Sequence, residues 1–191
     1  IIEFLIDHGA KAVVLACNTA TAVAADTLRR DFSLPIIGIE PAVKPAVKLS
    51  PSGRFGVLGT TRTITSERYH RLLVRFTQGT HVMSVAAPGL MECVERGEFD
   101  TPQTKALLKK YLTPMLNAGI DTLVLACTHY PFLEKAIQEV AARPLTIIEP
   151  SSAVADVLAT RLKDNKLLNE GPESYPVHFW IKGAKRFTPA I

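Results

Sequence analysis

Val13-Val14-Leu15-Ala16-Cys17-Asn18-Thr19 and Leu123-Val124-Leu125-Ala126-Cys127-Thr128-His129 are two writings of one pattern, 127 − 17 = 110 residues apart. A glycine stands eight residues before each cysteine, Gly9 in the first copy and Gly119 in the second. The echo continues downstream. Ile36-Ile37-Gly38-Ile39-Glu40-Pro41 is answered by Leu145-Thr146-Ile147-Ile148-Glu149-Pro150, at an offset of 150 − 41 = 109. A repeat of this length predicts two pseudo-equivalent halves, and so two thiols in matching positions.

The apolar runs at Val13–Ala16, Ile36–Ile39, Phe55–Leu58, Val82–Val85, Leu123–Ala126 and Thr146–Ile148 are short and rich in β-branched residues. Runs that are apolar throughout belong to strands covered on both faces, as in parallel sheets. Helical patterns lie between them, over Thr21–Arg30, Thr63–Arg75, Gln103–Leu116, Phe132–Ala142 and Ser152–Leu162, and the chain opens on another with Ile2, Leu5 and Ile6 at helical spacing. The alternation predicts an α/β fold of two pseudo-symmetric α/β domains with mainly parallel sheets and an active site between them. The prolines after Glu40 and Glu149 mark the joints. They divide the chain into 41–149 as one domain, and 1–40 with 150–191 as the other. The segment from Lys163 to Pro176 is polar, and Val177–Trp180 reads as a last strand.

The 191 residues are 47% hydrophobic and 21% charged, the usage of an ordinary globular protein. No apolar run approaches the roughly 18 residues of a membrane helix, and the first residues lack the basic start and small-residue cleavage site of a signal peptide. Membrane partners are therefore not expected. The net charge is +4, but the basic residues are dispersed in pairs such as Arg29-Arg30 and Lys109-Lys110. Without a basic stripe or an aromatic platform, nucleic acid is not the expected primary partner. Three cysteines without scaffold spacing fit a reducing, cytoplasmic setting.

Each repeated cysteine ends a strand and precedes a helix, where α/β sheets bind ligands. Asn18 or Thr19 in the first copy and Thr128 in the second suit a helix N-cap, and Pro131 suits a first turn. Helix N-termini favour carboxylates and lower thiol pKa values. One thiolate can take a proton from a carbon acid while an opposed thiol returns one to the other face, inverting the centre without a cofactor. A single cysteine at the end of a buried strand is usually a core residue, and the doubling argues against that reading here. Metal binding is disfavoured, since Cys127 and His129 supply two ligands and neither copy has zinc-site spacing. A redox dithiol would call for Cys-x-x-Cys. Cys93 has no echo and reads as structural. His8, His70, His81 and His178 lie outside the motifs and read as surface or core residues.

Ala16-Cys17-Asn18-Thr19-Ala20 and Ala126-Cys127-Thr128-His129-Tyr130-Pro131 resemble the two signature motifs of the glutamate racemases, within the aspartate/glutamate racemase family. Gly59-Thr60-Thr61-Arg62-Thr63 resembles the family's central Gly-Thr-x-x-Thr loop, and Ala87-Pro88 followed by Val94-Glu95-Arg96-Gly97 its Pro…Val-Glu-x-Gly segment. The resemblance implies interconversion of L- and D-glutamate for peptidoglycan, without cofactor or metal. Cys17 would deprotonate D-glutamate and Cys127 L-glutamate, with His129 assisting Cys127. Asn18, Thr19, Thr60, Thr63 and Thr128 would hold the substrate, and Glu95 matches an acidic residue near the family's site. A homodimer is implied as well.

The chain departs from the family pattern in two places. The Asp-Ser-Gly and Pro-Tyr-Gly loops that open the family are not in this sequence, so an acidic partner for Cys17 is expected upstream of Ile1. Lys182-Gly183-Ala184 stands where many members carry Thr-Gly-Asp. Two other readings stand beside this one: a racemase of aspartate or hydantoins on the same fold, against which Thr128-His129-Tyr130-Pro131 argues, and, because of the missing opening segment, a truncated, non-catalytic binding or regulatory protein.

Overall fold

The computed structural model describes residues 1–169, 171 and 176–181. In the first part of the chain, α1 (Ile2–Asp7), β1 (Val13–Leu15), α2 (Asn18–Asp31), β2 (Ile36–Gly38) and α3 (Val43–Leu49) follow one another. Then come β3 (Arg54–Gly59), α4 (Thr61–Ile64), α5 (Glu67–Phe76), β4 (His81–Ala86), α6 (Leu90–Glu95) and α7 (Pro102–Asn117). The last part holds β5 (Thr122–Ala126), a 3-10 turn (Tyr130–Leu133), α8 (Glu134–Ala141), β6 (Thr146–Ile148) and α9 (Ser151–Asp164). The strands form one four-stranded sheet, in the order β4-β3-β5-β6, and one two-stranded sheet, β1-β2. Every ladder is parallel, so the α/β class with parallel sheets is the observed one.

The repeated sequence is a repeated unit in space. β1-α2-β2 and β5-α8-β6 are both strand–helix–strand crossovers, with Val14 beside Ile37 in one and Leu123 beside Ile147 in the other. The continuous apolar runs are sorted by the two-residue period of a strand. Leu58, Leu123 and Leu125 face a core closed by Leu108, Leu112 and Met115 of α7 and Ile137 of α8. Their alternates Phe55, Val57, Val124 and Ala126 face Val43 and Ala46 of α3 and Tyr69 of α5. Each large apolar side chain withdrawn from water here contributes about 1.5–3 kcal/mol. Gly56 faces the first of these cores, and a methyl group there would meet Ile120 Cδ1 at 2.9 Å, which accounts for the glycine in the middle of β3. The smaller sheet has a smaller core, in which Ile2, Val13 and Ile36 pack with Leu28 and Phe32. α9 lies against β2.

The structure differs from the sequence reading in four places. The predicted helix over 63–75 is two helices, because the Ser66 side chain caps a new one by accepting the Tyr69 N–H. The predicted helix over 132–142 begins as a 3-10 turn with Pro131 in it. The Pro-marked joint after Glu40 contains α3, and Pro45 fits its first turn, where no N–H is needed. Val177–Trp180 is not a strand; Trp180 instead packs edge-on against Phe4 of α1 and against His8. Lys182-Gly183-Ala184 falls outside the described residues.

Two local devices fix the strands. Asp121, just before β5, accepts hydrogen bonds from Ser50 Oγ at 2.6 Å and the Ser52 N–H at 2.7 Å, and Thr122 Oγ1 donates to it at 2.8 Å. Burial pushes this carboxyl up, but the donors outweigh it and hold the pKa down at about 2. Because the folded value lies below the ordinary 3.8, this stabilisation is present above about pH 4 and is lost as the pH falls through about 2. Replacing Asp121 with Asn is expected to cost about 1–3 kcal/mol at pH 7. It should also flatten the loss of stability below pH 4, as read by urea unfolding across pH.

Thr21 ties the crossover together. Its Oγ1 donates to the Leu15 carbonyl at 3.2 Å and accepts the Ile39 N–H at 3.1 Å. A methyl group on Gly38 would lie 2.5 Å from Thr21 Cγ2. Gly38→Ala should therefore destabilise by about 1–3 kcal/mol, visible as a lowered thermal midpoint.

Candidate active site

Both cysteines stand at the carboxyl ends of parallel strands, two residues past Leu15 in β1 and one past Ala126 in β5. In the first copy neither Asn18 nor Thr19 is the helix cap. Cys17 itself is the N-cap of α2, and its Sγ accepts the Ala20 N–H at 3.4 Å. That frees Thr19 to reach across to the other sheet. Its Oγ1 lies 3.0 Å from Thr60 Oγ1 and 3.0 Å from Thr63 Oγ1, and the latter two are 3.0 Å apart. Thr60 also caps α4 by accepting the Thr63 N–H. The three hydroxyls form a closed triangle between the β1-α2 turn and the β3-α4 turn.

In the second copy Thr128 does not cap either. Its Oγ1 donates to the Ala16 carbonyl at 3.2 Å, so the second cysteine motif is hydrogen-bonded to the residue before the first cysteine. The two turns thereby meet, and a charge on Cys17 is near enough to act on Cys127.

The surroundings of the two thiols are unequal. Cys17 is exposed and Cys127 is 7% exposed. Burial pushes the Cys127 thiol up, and the nearby Cys17 and Glu92 push it further. The backbone N–H groups of His129 and Tyr130 pull it partly back. The free protein therefore holds Cys127 as a neutral thiol at neutral pH. Beside it, His129 Nδ1 lies 3.7 Å from Cys127 Sγ, and His129 Nε2 lies 2.5 Å from Glu95 Oε1 on α6. Glu95, His129 and Cys127 thus form a line of three groups that can pass a proton. Tyr130 holds this turn down from below, donating its hydroxyl to the Ala87 carbonyl.

Asn18 is placed differently from its neighbours. Its side chain is 4% exposed, and both amide polar atoms are buried without a protein hydrogen-bond partner. It lines a cavity of about 10 Å³ in the seam between α2 and α5, with Thr21, Ile39, Glu40, Thr63 and Arg68. That space is too small for an amino acid. Cys93 is buried on the inner side of α6 at 1% exposure, as a structural residue would be.

Sequence reasoning missed two contacts. The Glu95–His129 pair spans 34 residues, and no local spacing signals it. The second is an ion-pair network across the seam. Arg68 of α5 donates from Nε to Glu40 Oε1 at 2.6 Å and from Nη1 to Asp26 Oδ1 of α2 at 2.9 Å. Among the described residues no cluster of three or more His, Cys, Asp or Glu side chains could hold a metal ion, and no helix is long and apolar enough to cross a membrane.

The family model for Asp/Glu/hydantoin racemase matches residues 1–158. The glutamate racemase of Methylococcus capsulatus is 46% identical over 181 residues, which is 95% of this chain and 67% of that protein. Among solved structures, glutamate racemase isoform RacE1 of Bacillus anthracis superposes with a TM-score of 0.77 at 38% identity, covering 88% of this chain and 64% of that one. Glutamate racemase of Escherichia coli, solved with L-glutamate and the activator UDP-MurNAc-Ala, also gives a TM-score of 0.77, at 28% identity over 93% of this chain and 66% of that one. The chain spans about two thirds of the length of these relatives. On the matched family model and the identity across nearly all of its residues, the chain belongs to the Asp/Glu/hydantoin racemase family.

Proposed function

We propose that this chain carries the two-thiol site of a glutamate racemase that supplies D-glutamate for peptidoglycan, acting in the cytoplasm as a homodimer and without a cofactor. The observation that carries the reading is the Thr128–Ala16 hydrogen bond, which brings the two cysteine motifs together at the carboxyl edges of two parallel sheets. The naming of the relatives as glutamate racemases supports the choice of substrate.

For D-glutamate, Cys17 as thiolate takes the α-proton, and the neutral thiol of Cys127 delivers its own proton to the opposite face. The raised pKa of Cys127 suits it to the donor role. For L-glutamate the roles exchange. Cys127 first passes its proton to His129 Nδ1, while the Glu95 carboxylate at Nε2 orients the ring. The Cys127 thiolate then takes the α-proton, and the Cys17 thiol protonates the other face. Each cycle moves one proton on and one proton off, so the net charge of the pair is unchanged, but the negative charge passes from one sulfur to the other and must be returned before the next turnover in the same direction.

The hydroxyls of Thr19, Thr60, Thr63 and Thr128 gather where the turns meet, and in this reading they hold the substrate's carboxylates, with Thr63, the buried one, acting through its bonds to Thr19 and Thr60. Asn18 would pair its amide with a polar group of the substrate after its side chain turns out of the seam. A buried amide without partners costs about 1–3 kcal/mol, and substrate binding would recover part of that.

The test is α-proton exchange and racemisation in D₂O by the full-length protein, with aspartate and a hydantoin alongside glutamate. Cys17→Ser and Cys127→Ser are each expected to lower racemisation by about 100-fold or more. Enantiomers have equal free energy, so kcat/KM must fall equally in the two directions. Full activity in either variant would overturn the two-thiol mechanism, and turnover of only aspartate or the hydantoin would overturn the substrate.

Glu95→Gln should lower kcat/KM about 10-fold by removing the carboxylate that holds His129 Nε2. The pH–rate profile should change shape with it. An unchanged profile would remove Glu95 from the proton path.

A further inference from the structure

Arg68 lies outside the turns that hold the reacting groups, yet it touches the elements on both sides of them. It sits on α5, immediately after the Thr60–Thr63 turn, and its guanidinium reaches Asp26 on α2 and Glu40 at the end of β2. The helix that Arg68 holds through Asp26 is the one that begins at Cys17. The Thr19 triangle is a second contact between the same two bodies, seven residues earlier on α2, or about 10 Å along the helix axis. A single contact would leave α2 free to pivot about Thr19. Two contacts that far apart fix its direction.

We propose that Arg68 is a positioning residue: by bridging α5 to Asp26 and Glu40 it sets the angle at which α2 presents Cys17 to the Thr60–Thr63 turn. The proposal rests on the two-thiol reading for its effect on turnover, but its effect on α2 does not depend on that reading.

The Arg68 side chain is 21% exposed while Asp26 is 71% exposed, so the pairs lie at a wet rim where ion pairs add little to stability. A contact of small energetic weight that nonetheless engages two carboxylates by a rigid fork is suited to orienting elements. Hydrogen bonding from Arg68 also holds the Asp26 carboxyl below its usual range. Finally, Arg68 and Glu40 wall the small cavity that contains the unpaired Asn18 amide, so a shift of the guanidinium changes the space into which Asn18 is packed.

The experiment uses full-length protein with Arg68→Met, which keeps the stem, and Arg68→Lys, which keeps the charge but loses the fork. Asp26→Asn removes the α2 partner without touching α5. Three readouts are taken: kcat and KM in both directions, the thermal midpoint, and amide hydrogen exchange in α2 and in α7 as the internal control.

Arg68→Met and Asp26→Asn are expected to lower kcat by about 10- to 100-fold. KM should change less, and the midpoint should stay near that of the unchanged protein. Exchange should quicken in α2 around Asp26, the end released from Arg68, and stay the same in α7, and Arg68→Lys should recover part of the loss. Unchanged kcat and unchanged α2 exchange would overturn the proposal. So would a lowered midpoint with faster exchange everywhere, which marks a merely structural role. If the unmodified protein does not racemise glutamate, the functional reading fails. The exchange difference between α2 and α7 then decides the positioning claim alone.

Discussion

β3 and β5 lie side by side in parallel and are buried on both faces, and the rest of the molecule follows from that. A parallel ladder needs crossovers, and the crossovers here are helices that must go to one face or the other. With α7 and α8 on one side and α3 and α5 on the other, both faces of these strands are covered. The carboxyl ends are where the chain leaves each strand for the next helix, and polar groups can collect there without disturbing either core. The Thr60–Thr63 turn and the Cys127-Thr128-His129 turn are neighbours because Gly59 and Ala126 are ladder partners.

The second sheet carries the first cysteine turn and has a small core. Its attachment near the site is polar: a triangle of threonine hydroxyls, one hydroxyl on the Ala16 carbonyl, and the Arg68 ion pairs. Such contacts are individually weak and geometrically demanding. They set position more than they resist separation, and the angle between the two cysteine turns is therefore the property of this molecule most open to adjustment by single residues.

Much of this was legible in the sequence. The six strands could be read because, in an alternating chain, a short apolar run bounded by turn residues has the length and composition of a buried strand. The cysteines could be read because the repeat doubled them. Where the reading failed, tertiary contacts had the deciding vote. Thr19 and Thr128 look like helix caps by position, but each reaches across to the other half, and Cys17 caps its own helix instead. Glu95 and His129 meet through the packing of α6 against the 3-10 turn, which no periodicity encodes. The repeated Glu-Pro pairs show how one motif diverges. Glu40 pairs with Arg68 across the seam, whereas Glu149 bonds locally to Ser151 at the start of α9.

The unequal burial of the two thiols has a pharmacological side. An electrophile arriving from solution meets Cys17 first, since that residue is exposed while Cys127 is buried and its thiol is pushed up by burial. A covalent inhibitor aimed at this protein would be built outward from Cys17, with its recognition groups directed at the threonine hydroxyls next to it. The same asymmetry makes Cys17 the site where a single fluorescent or spin label could be attached under mild conditions, leaving the other two cysteines unmodified.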